Sequence, residues 1–542
     1  MKNLLLCLVL ILSIPSFAGV SLKNGNFYID YTDLVVPGGG HELVISRTYN
    51  SRAMDKGWFG FGWGSDFETY LSVEPDGSVV VHENGSGART RFTPKGSVDP
   101  VKAAKKIVNT MRKNGAKLSN NDEKALVKKL ANDEELRHAY SKNFHVKSSL
   151  PNGSVLYSNV RGMQKVIKTK KGFKRTFNDG KSEYFSDAGK LLKSRDKTGY
   201  TVSLTYKNGK VSKIKDSQGK QIFLDWYSTG FVKNVWSVDS KKATYVYKKD
   251  DMVKSTDVSG NSYTYSYDSI HNMTQIKYKD GKSRDISYDP KTQFVHVVKK
   301  KNGNQVKYDY GQDPKNPDLH YWTTVSRKAK SEKKWRKNKY EYELKNRPDG
   351  STYTYKIVTE VNGFKTATVY SECCGLPLKI QRGKEVTTFD YNSKGLLTKK
   401  TSTKGEYVEL KYHPKLNKIT KVINNNGWTN FSYDKKGNLT KATNDKGKSV
   451  LLIYNRKGRI TKMVDYNKRT RKKRGLSFRY NSQGKPIEIA MTKVGTIFVS
   501  YDNYGEIKRV ESKQGHKMAL QVTQAFQSLI SIVKPAGVNF NM

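Results

Sequence analysis

Phe431-Ser432-Tyr433-Asp434-Lys435-Lys436-Gly437-Asn438-Leu439-Thr440-Lys441 is one statement of a phrase that the chain repeats. Its aromatic beat falls at Tyr391, Tyr412, Tyr433, Tyr454, Tyr480 and Tyr501, with spacings of 21, 21, 21, 26 and 21 residues. Four units carry one tripeptide at one phase: Leu397-Thr398-Lys399, Ile419-Thr420-Lys421, Leu439-Thr440-Lys441 and Ile460-Thr461-Lys462. An earlier run keeps the beat at Tyr206, Trp226, Tyr247, Tyr267 and Tyr288, at spacings of 20, 21, 20 and 21. A fixed period of this length marks a repeat architecture, in which each unit buries its apolar face with the help of the next.

Each unit holds two turn signals, one after the aromatic beat (Tyr433 to Asn438) and one midway (Asn444 to Lys448). Glycine in each supplies the positive φ that a tight hairpin requires. Two strands of about six residues fit between the turns. In the second strand, Val408/Leu410/Tyr412, Val450/Leu452/Tyr454 and Leu476/Phe478/Tyr480 stand at i, i+2 and i+4. The tyrosine therefore shares the buried face with two apolar residues. The fold expected is mainly β: a long antiparallel meander that right-handed twist coils into a spiral or tube-like sheet.

Outward from this array, residues 389–512 are the regular repeats and 143–310 an earlier array. Between them, 311–388 lose the strict beat but keep long alternating runs such as Ser351 to Val358, which read as wide two-faced strands. Residues 19–98 form an N-terminal β module. In it the run Gly57-Trp58-Phe59-Gly60-Phe61-Gly62-Trp63 suits rings that plug one end of a sheet, or alternatively an aromatic ligand platform. Residues 99–142 switch to helical periodicity. Asp99-Pro100 opens a first helix, Ser119 and Asp122 a second, and Asn132 or Asp133 a third short one. Residues 513–542 read as a C-terminal helical cap and tail that covers the last strand edge. Residues 1–18, with Lys2, an apolar stretch from Leu4 to Ile14 and Ser16-Phe17-Ala18, read as a signal peptide.

The chain carries 99 Lys and Arg against 49 Asp and Glu, and removing residues 1–18 takes Lys2 and leaves +49. That balance favours polyanionic surroundings: lipopolysaccharide, acidic glycan, anionic lipid or nucleic acid. Lysine on exposed sheet faces also discourages aggregation. Hydrophobic residues are only 36% of the chain, which argues against a thick core, while 34 tyrosines suit a sheet with one covered and one wet face. Cys373 and Cys374 are adjacent, so a bond between them closes a strained ring at a turn. Free thiols, an intermolecular bond or half a metal site are the alternatives, and no nearby His or Cys completes a metal set.

Tyr-Asp-x-x-Gly turns on this beat resemble the YD repeats of Rhs (rearrangement hotspot) proteins. Tyr267-Asp268, Tyr288-Asp289, Tyr433-Asp434 and Tyr501-Asp502 keep the dipeptide, while Tyr454-Asn455, Tyr480-Asn481 and Tyr412-His413 vary it. Tyr31-Thr32-Asp33-Leu34, Arg47-Thr48-Tyr49-Asn50-Ser51 and Gly57 to Trp63 resemble the opening module of that family. The resemblance covers roughly residues 20–97 and 150–510. It implies a β-sheet cocoon, which in larger members encloses a C-terminal toxin. The chain departs from that pattern, with no recognisable closing core motif and no separate toxin domain after the repeats.

No His-Glu-x-x-His, Gly-x-Ser-x-Gly, phosphate-cradling Gly-x-x-x-x-Gly-Lys or Cys-x-x-Cys occurs, so neither catalytic residues, cofactor nor metal are expected. The nine histidines, among them His82, His145, His296, His320 and His413, read as surface or turn residues. Two basic clusters stand out. Lys468, Arg469, Arg471, Lys472, Lys473 and Arg474 fall inside the unit of 26, and Lys333, Lys334, Trp335 and Arg336 follow Arg327 to Lys330. Cations alternating with an aromatic suit phosphate or sulfate contact with stacking against a base or sugar ring, and a solvated loop is the alternative. The function expected is an exported, non-enzymatic scaffold that binds anionic envelope polymers. A shell or carrier for a protein cargo and a carbohydrate-active enzyme are the other readings.

Overall fold

In the computed structural model, the described residues are 18–512 apart from 39–40, 86, 95–97, 147, 159–162, 198, 239, 349, 374, 457, 482–484, 492–493 and 502–506. The expected signal peptide through residue 17 and the C-terminal cap from residue 513 lie outside them. Strand accounts for 56% of the chain, which settles the class as mainly β. Thirty-six strands, from Tyr70–Val73 to Ile507–Ser512, run as one antiparallel meander in which each pairs with its neighbours in sequence. The sheet coils without closing into a barrel. Its leading strand touches the meander again only lightly, by a single bridge from Tyr70 to Lys190 and a Leu71 N–H bond to Gly189 O of 2.9 Å.

The repeated phrase explains how one unit grips the last. Eleven tyrosines and Trp226 reach back to the adjoining strand and donate to a carbonyl at or near its start, 14 to 20 residues earlier. Tyr412 reaches Leu397 O at 2.6 Å, Tyr433 Ile419 O at 2.7 Å and Tyr454 Leu439 O at 2.8 Å. The earlier array repeats the contact with Tyr206, Trp226, Tyr247, Tyr267, Tyr288 and Tyr310, and the later one with Tyr391, Tyr480 and Tyr501. The rings of Tyr412, Tyr433 and Tyr454 pack against the cluster that holds Val422, Ala442 and Val450, which helps to bury those residues on a single-layer sheet.

Every beat tyrosine sits at a register shift, as between Ser432 and Tyr433 or Ile453 and Tyr454. A bulge leaves backbone groups without ladder partners. The tripeptide threonine covers one of them: Thr398, Thr440 and Thr461 donate to Asp390 O, Ser432 O and Ile453 O at 3.0, 3.1 and 3.2 Å. The following turn is closed by the residue after tyrosine. Asp434 Oδ1 accepts from the N–H groups of Lys436 and Asn438, both at 2.9 Å. Asn455 and Asn481 make the equivalent bond, and His413 Nδ1 accepts from Lys415 N and Leu416 N. An acceptor atom at that position is what the turn needs, which is why Asp, Asn and His alternate there.

The first coil of the sheet winds round the N-terminal module. The strands Phe27–Val36 and Leu43–Asn50 share one continuous core with sheet residues as far on as Val325. At its centre Arg47, fully buried, donates to Asp33 at 2.6 Å, Ser255 at 2.7 Å and Tyr265 at 3.0 Å, and stacks between Tyr31 and Trp63. Tyr245 donates to the same Asp33 oxygen at 2.8 Å. Lys220 ties the loop before residue 43 through Gly38 O and His41 O at 2.7 and 2.6 Å. Phe59 and Trp63 are buried, so these two rings of the glycine-aromatic run plug the coil rather than face a ligand.

Three helices, α1 (Pro100–Lys113), α2 (Asn120–Asn132) and α3 (Glu134–Asn143), fill the connection between the strands Ala88–Pro94 and Val155–Ser158. Asp99, Ser119 and Asp133 cap them by accepting from Lys102 N, Asp122 N and Leu136 N. Ion pairs from Arg91 to Asp76 and Glu134, and the approach of His138 Nδ1 to a Glu74 carboxylate oxygen at 3.2 Å, hold α3 against the leading hairpin. Among the described residues no helix is long and apolar enough to cross a membrane.

Two outcomes test this account. Tyr454→Phe removes the hydroxyl that reaches Leu439 O and is expected to cost about 1 kcal/mol of stability in chemical denaturation. An unchanged midpoint would mean that the bond contributes nothing net. Glu68 lies buried under the glycine-aromatic run, where Trp58 N–H donates to it at 2.7 Å, and burial pushes its carboxyl pKa up to about 8. Because the folded state holds this proton more tightly than the unfolded chain, stability falls as pH rises from about 4.5 towards 8 and then levels off. Glu68→Gln is expected to flatten that slope, and identical slopes in both proteins would assign it elsewhere.

Candidate functional site: an open inner wall and a basic edge

Burial divides the sheet into three parts. The first core extends to Val325 and the second begins at Leu410. Between them, from residue 345 to residue 409, no described residue is buried. The described side chains of this wall are all at least partly exposed, and its Gly350 turn abuts the backbone of Asn132 and Asp133. The module that fills the first coil ends its reach at Leu22, whose carbonyl accepts from Thr323 at 2.6 Å. Beyond that point no described residue of the N-terminal module is buried against the inner face.

Register defines what this wall presents on the side continuous with the buried Val325 and Leu410. One row crosses the strands as Tyr342, Ile357, Thr368, Ile380, Thr387 and Ser402. A second runs Tyr340, Thr359, Thr366, Arg382 and Glu385. Phe364, at the tip of the hairpin joining Thr352–Val361 to Phe364–Tyr370, is 80% exposed. Threonine and β-branched residues suit strands that hold their shape without a packed face. The rows offer apolar and hydroxyl surface with few charges, and they assemble no nucleophile with a base. Among the described residues no group of His, Cys, Asp and Glu could hold a metal ion.

The predicted basic residues fall elsewhere. Turns alternate between the two edges of the meander, and both clusters occupy mid-unit turns, hence the same edge. Residues 468–472 join Ile460–Asn467 to Lys473–Tyr480, and Lys468 N–H bonds Gly447 O of the neighbouring turn at 2.9 Å. The five extra residues are absorbed by this longer hairpin, so Tyr480 still reaches Ile460 O. Residues 329–335 sit in the same way beside the turn at Asn304, whose side chain accepts from Lys330 N at 3.0 Å. Five turns of that edge separate the clusters, on the order of 60 Å along the sheet at about 4.8 Å per strand. The two clusters are therefore separate turns of one edge and not neighbours along the sheet.

Lys468, Arg469, Arg471, Lys472, Lys473, Lys333 and Lys334 are exposed. Two members are tied to acids: Arg474 to Asp465 at 2.6 Å, and Arg336 to Glu332. Trp335 is 36% exposed with the Lys328 ammonium 5.2 Å from its ring centre. Cys373 is disulfide-bonded, and Cys374 lies outside the described residues. His82 corrects the surface reading of the histidines. It is buried, stacked on Tyr70 and 3.1 Å from Ser72 Oγ, and burial lowers its pKa to about 4, leaving it neutral. Sequence reasoning missed the open wall, although the lost beat between 311 and 388 was its signal. Ile357→Ala and Ile380→Ala are expected to cost under about 1 kcal/mol, against about 2 to 5 kcal/mol for the buried Ile214→Ala. Equal losses at the three sites in denaturant titrations would mean that the wall is packed.

A family model described as a domain of unknown function (DUF6531) matches residues 18–92, one described as RHS Repeat matches 249–283, and one described as Teneurin YD-shell matches 412–541. The tRNA nuclease WapA of Bacillus subtilis is 35% identical over 85 residues, which is 16% of this chain and 4% of that protein. A Tc holotoxin pore of Photorhabdus luminescens aligns over 91% of this chain and 30% of its own, with 11% identity and a TM-score of 0.35. The TcdB2–TccC3 complex aligns over 91% and 32%, with 9% identity and a TM-score of 0.35.

Proposed function

For a chain that carries Rhs-type YD repeats, we propose the role of an exported, non-enzymatic shell-type scaffold whose inner wall between residues 345 and 409 holds an extended polypeptide guest. The observation that carries this reading is the uncovered wall itself, flanked by two stretches of the same sheet whose inner faces are buried. Rows of Tyr, Ile and Thr supply apolar contact and hydroxyl hydrogen bonds to a chain of mixed sequence, without selecting a charge. The plugged first coil closes one end, so a guest would meet the wall and not the N-terminal core. The nuclease and toxin assemblies named among the relatives are consistent with a scaffold associated with protein cargo.

A second reading is favoured by the exposed cations of the mid-unit edge. Lys468, Arg469, Arg471, Lys472 and Lys473, and separately Lys333 and Lys334 beside Trp335, would contact anionic envelope polymers such as lipopolysaccharide or acidic glycan, with nucleic acid a weaker fit. The formal charge of +50 supports it.

A photocrosslinker placed at Thr368 on the inner face and at Ala367 on the outer face tests the first reading. With reduced, alkylated lysozyme as the unfolded probe, crosslinks are expected at 368 and not at 367. Equal labelling of both faces would overturn the assignment.

A further inference from the structure

The tripeptide lysines form a second cationic surface, and it lies on the outer face of the later array. Lys399, Lys421, Lys441 and Lys462 each stand third in their strands, Leu397–Ser402, Ile419–Asn424, Leu439–Asn444 and Ile460–Asn467. Their inner-face neighbours are the buried Val422, Ala442 and Met463, so alternation sends the lysines outward. The register makes the spacing regular. Lys421 lies opposite Asn430, and Lys441 opposite Ser432, two residues further along that intervening strand. Lys441 lies opposite Leu451, and Lys462 opposite Ile453, again two residues on. Each step therefore crosses two strands and advances two residues, so successive lysines are about 12 Å apart on a straight diagonal.

The cations of this diagonal are uncommitted at its centre. Lys399 faces Asp390 and Glu409 across its strand. Lys421, Lys441 and Lys462 face only Lys411, Asn430, Ser432, Leu451, Ile453 and Ser477. Apolar surface accompanies them. Lys399 and Lys421 lie over the rings of Tyr407 and Trp428, at 5.9 and 5.7 Å from the ring centres. Trp428, Leu451 and Ile453 are 37%, 45% and 51% exposed on the same face.

We propose that Lys421, Lys441 and Lys462, with Trp428 beside Lys421 and with Leu451 and Ile453 between Lys441 and Lys462, form a track for a linear acidic polysaccharide laid diagonally across the strands. The proposal rests on the anionic-polymer reading above and places its main contact on the sheet face instead of the edge. A sugar ring offers a C–H face that packs on aromatic and aliphatic platforms alike, and a uronate carboxylate beside each ring answers a lysine. Single-stranded nucleic acid needs an aromatic platform for successive bases, and this track has one indole followed by aliphatic side chains.

The experiment measures binding of the full chain to oligogalacturonates of increasing length, with neutral dextran and length-matched oligo-dT as comparisons. Affinity is expected to rise with length until the oligomer spans about 24 Å, the reach of three lysines, and to weaken as salt is added. Lys421→Gln/Lys441→Gln/Lys462→Gln is expected to bind about tenfold more weakly, and Trp428→Ala several-fold more weakly, with unchanged thermal midpoints because all four positions face solvent. Wild-type affinity in the triple variant overturns the track. If Lys468→Gln/Arg469→Gln/Arg471→Gln/Lys472→Gln alone abolishes binding, the edge is the contact and the track is rejected. Absence of binding by the unaltered chain rejects both. Oligo-dT bound as tightly as oligogalacturonate rejects the glycan assignment.

Discussion

One hydrogen bond, from an aromatic side chain to a carbonyl on the adjoining strand, sets how this sheet is built. A single-layer meander has no second sheet to cover its apolar residues. The beat tyrosine solves this by lying down toward the adjoining strand, and it stays in place because its hydroxyl finds an acceptor there. The bulge that turns the tyrosine into this position frees a carbonyl, and the tripeptide threonine satisfies it. Ring, bulge, threonine and turn acceptor are thus one device. Its repetition every 21 residues follows from the two strands and two turns of each unit.

The same device cannot by itself decide what lies inside the coil. In the first part the N-terminal module occupies the interior, anchored by the buried Arg47–Asp33 pair among Tyr31, Trp63, Tyr245 and Tyr265. Burying an ion pair stabilises little on balance, but its exact hydrogen-bond demands make docking specific. In the middle part the strands lengthen, the inner rows turn to threonine, and the face stays open. Scaffold and site are therefore parts of one sheet, distinguished only by whether something covers them.

Much of this was legible in the residues. The period, the two turns per unit, the shared face of tyrosine and its apolar companions, and the helix starts at Asp99, Ser119 and Asp133 all follow from local rules that the structure obeys. The basic clusters were visible as charge runs, but their separation along the edge and the engagement of Arg474 and Arg336 with acids were not. His82 was misread because nothing in its neighbourhood of sequence announces Tyr70 and His138 as packing partners.

The repeat by itself determined strand, turn and facing, since each depends on residues within a few positions of one another. Only the tertiary structure decided the tyrosine's partner 14 to 20 residues away, the coil's winding round Arg47, and the wall left uncovered between residues 345 and 409. Those outcomes depend on how far each bulge displaces the register and on where the N-terminal module runs out. Both accumulate over many units, and no single unit carries them in its own sequence.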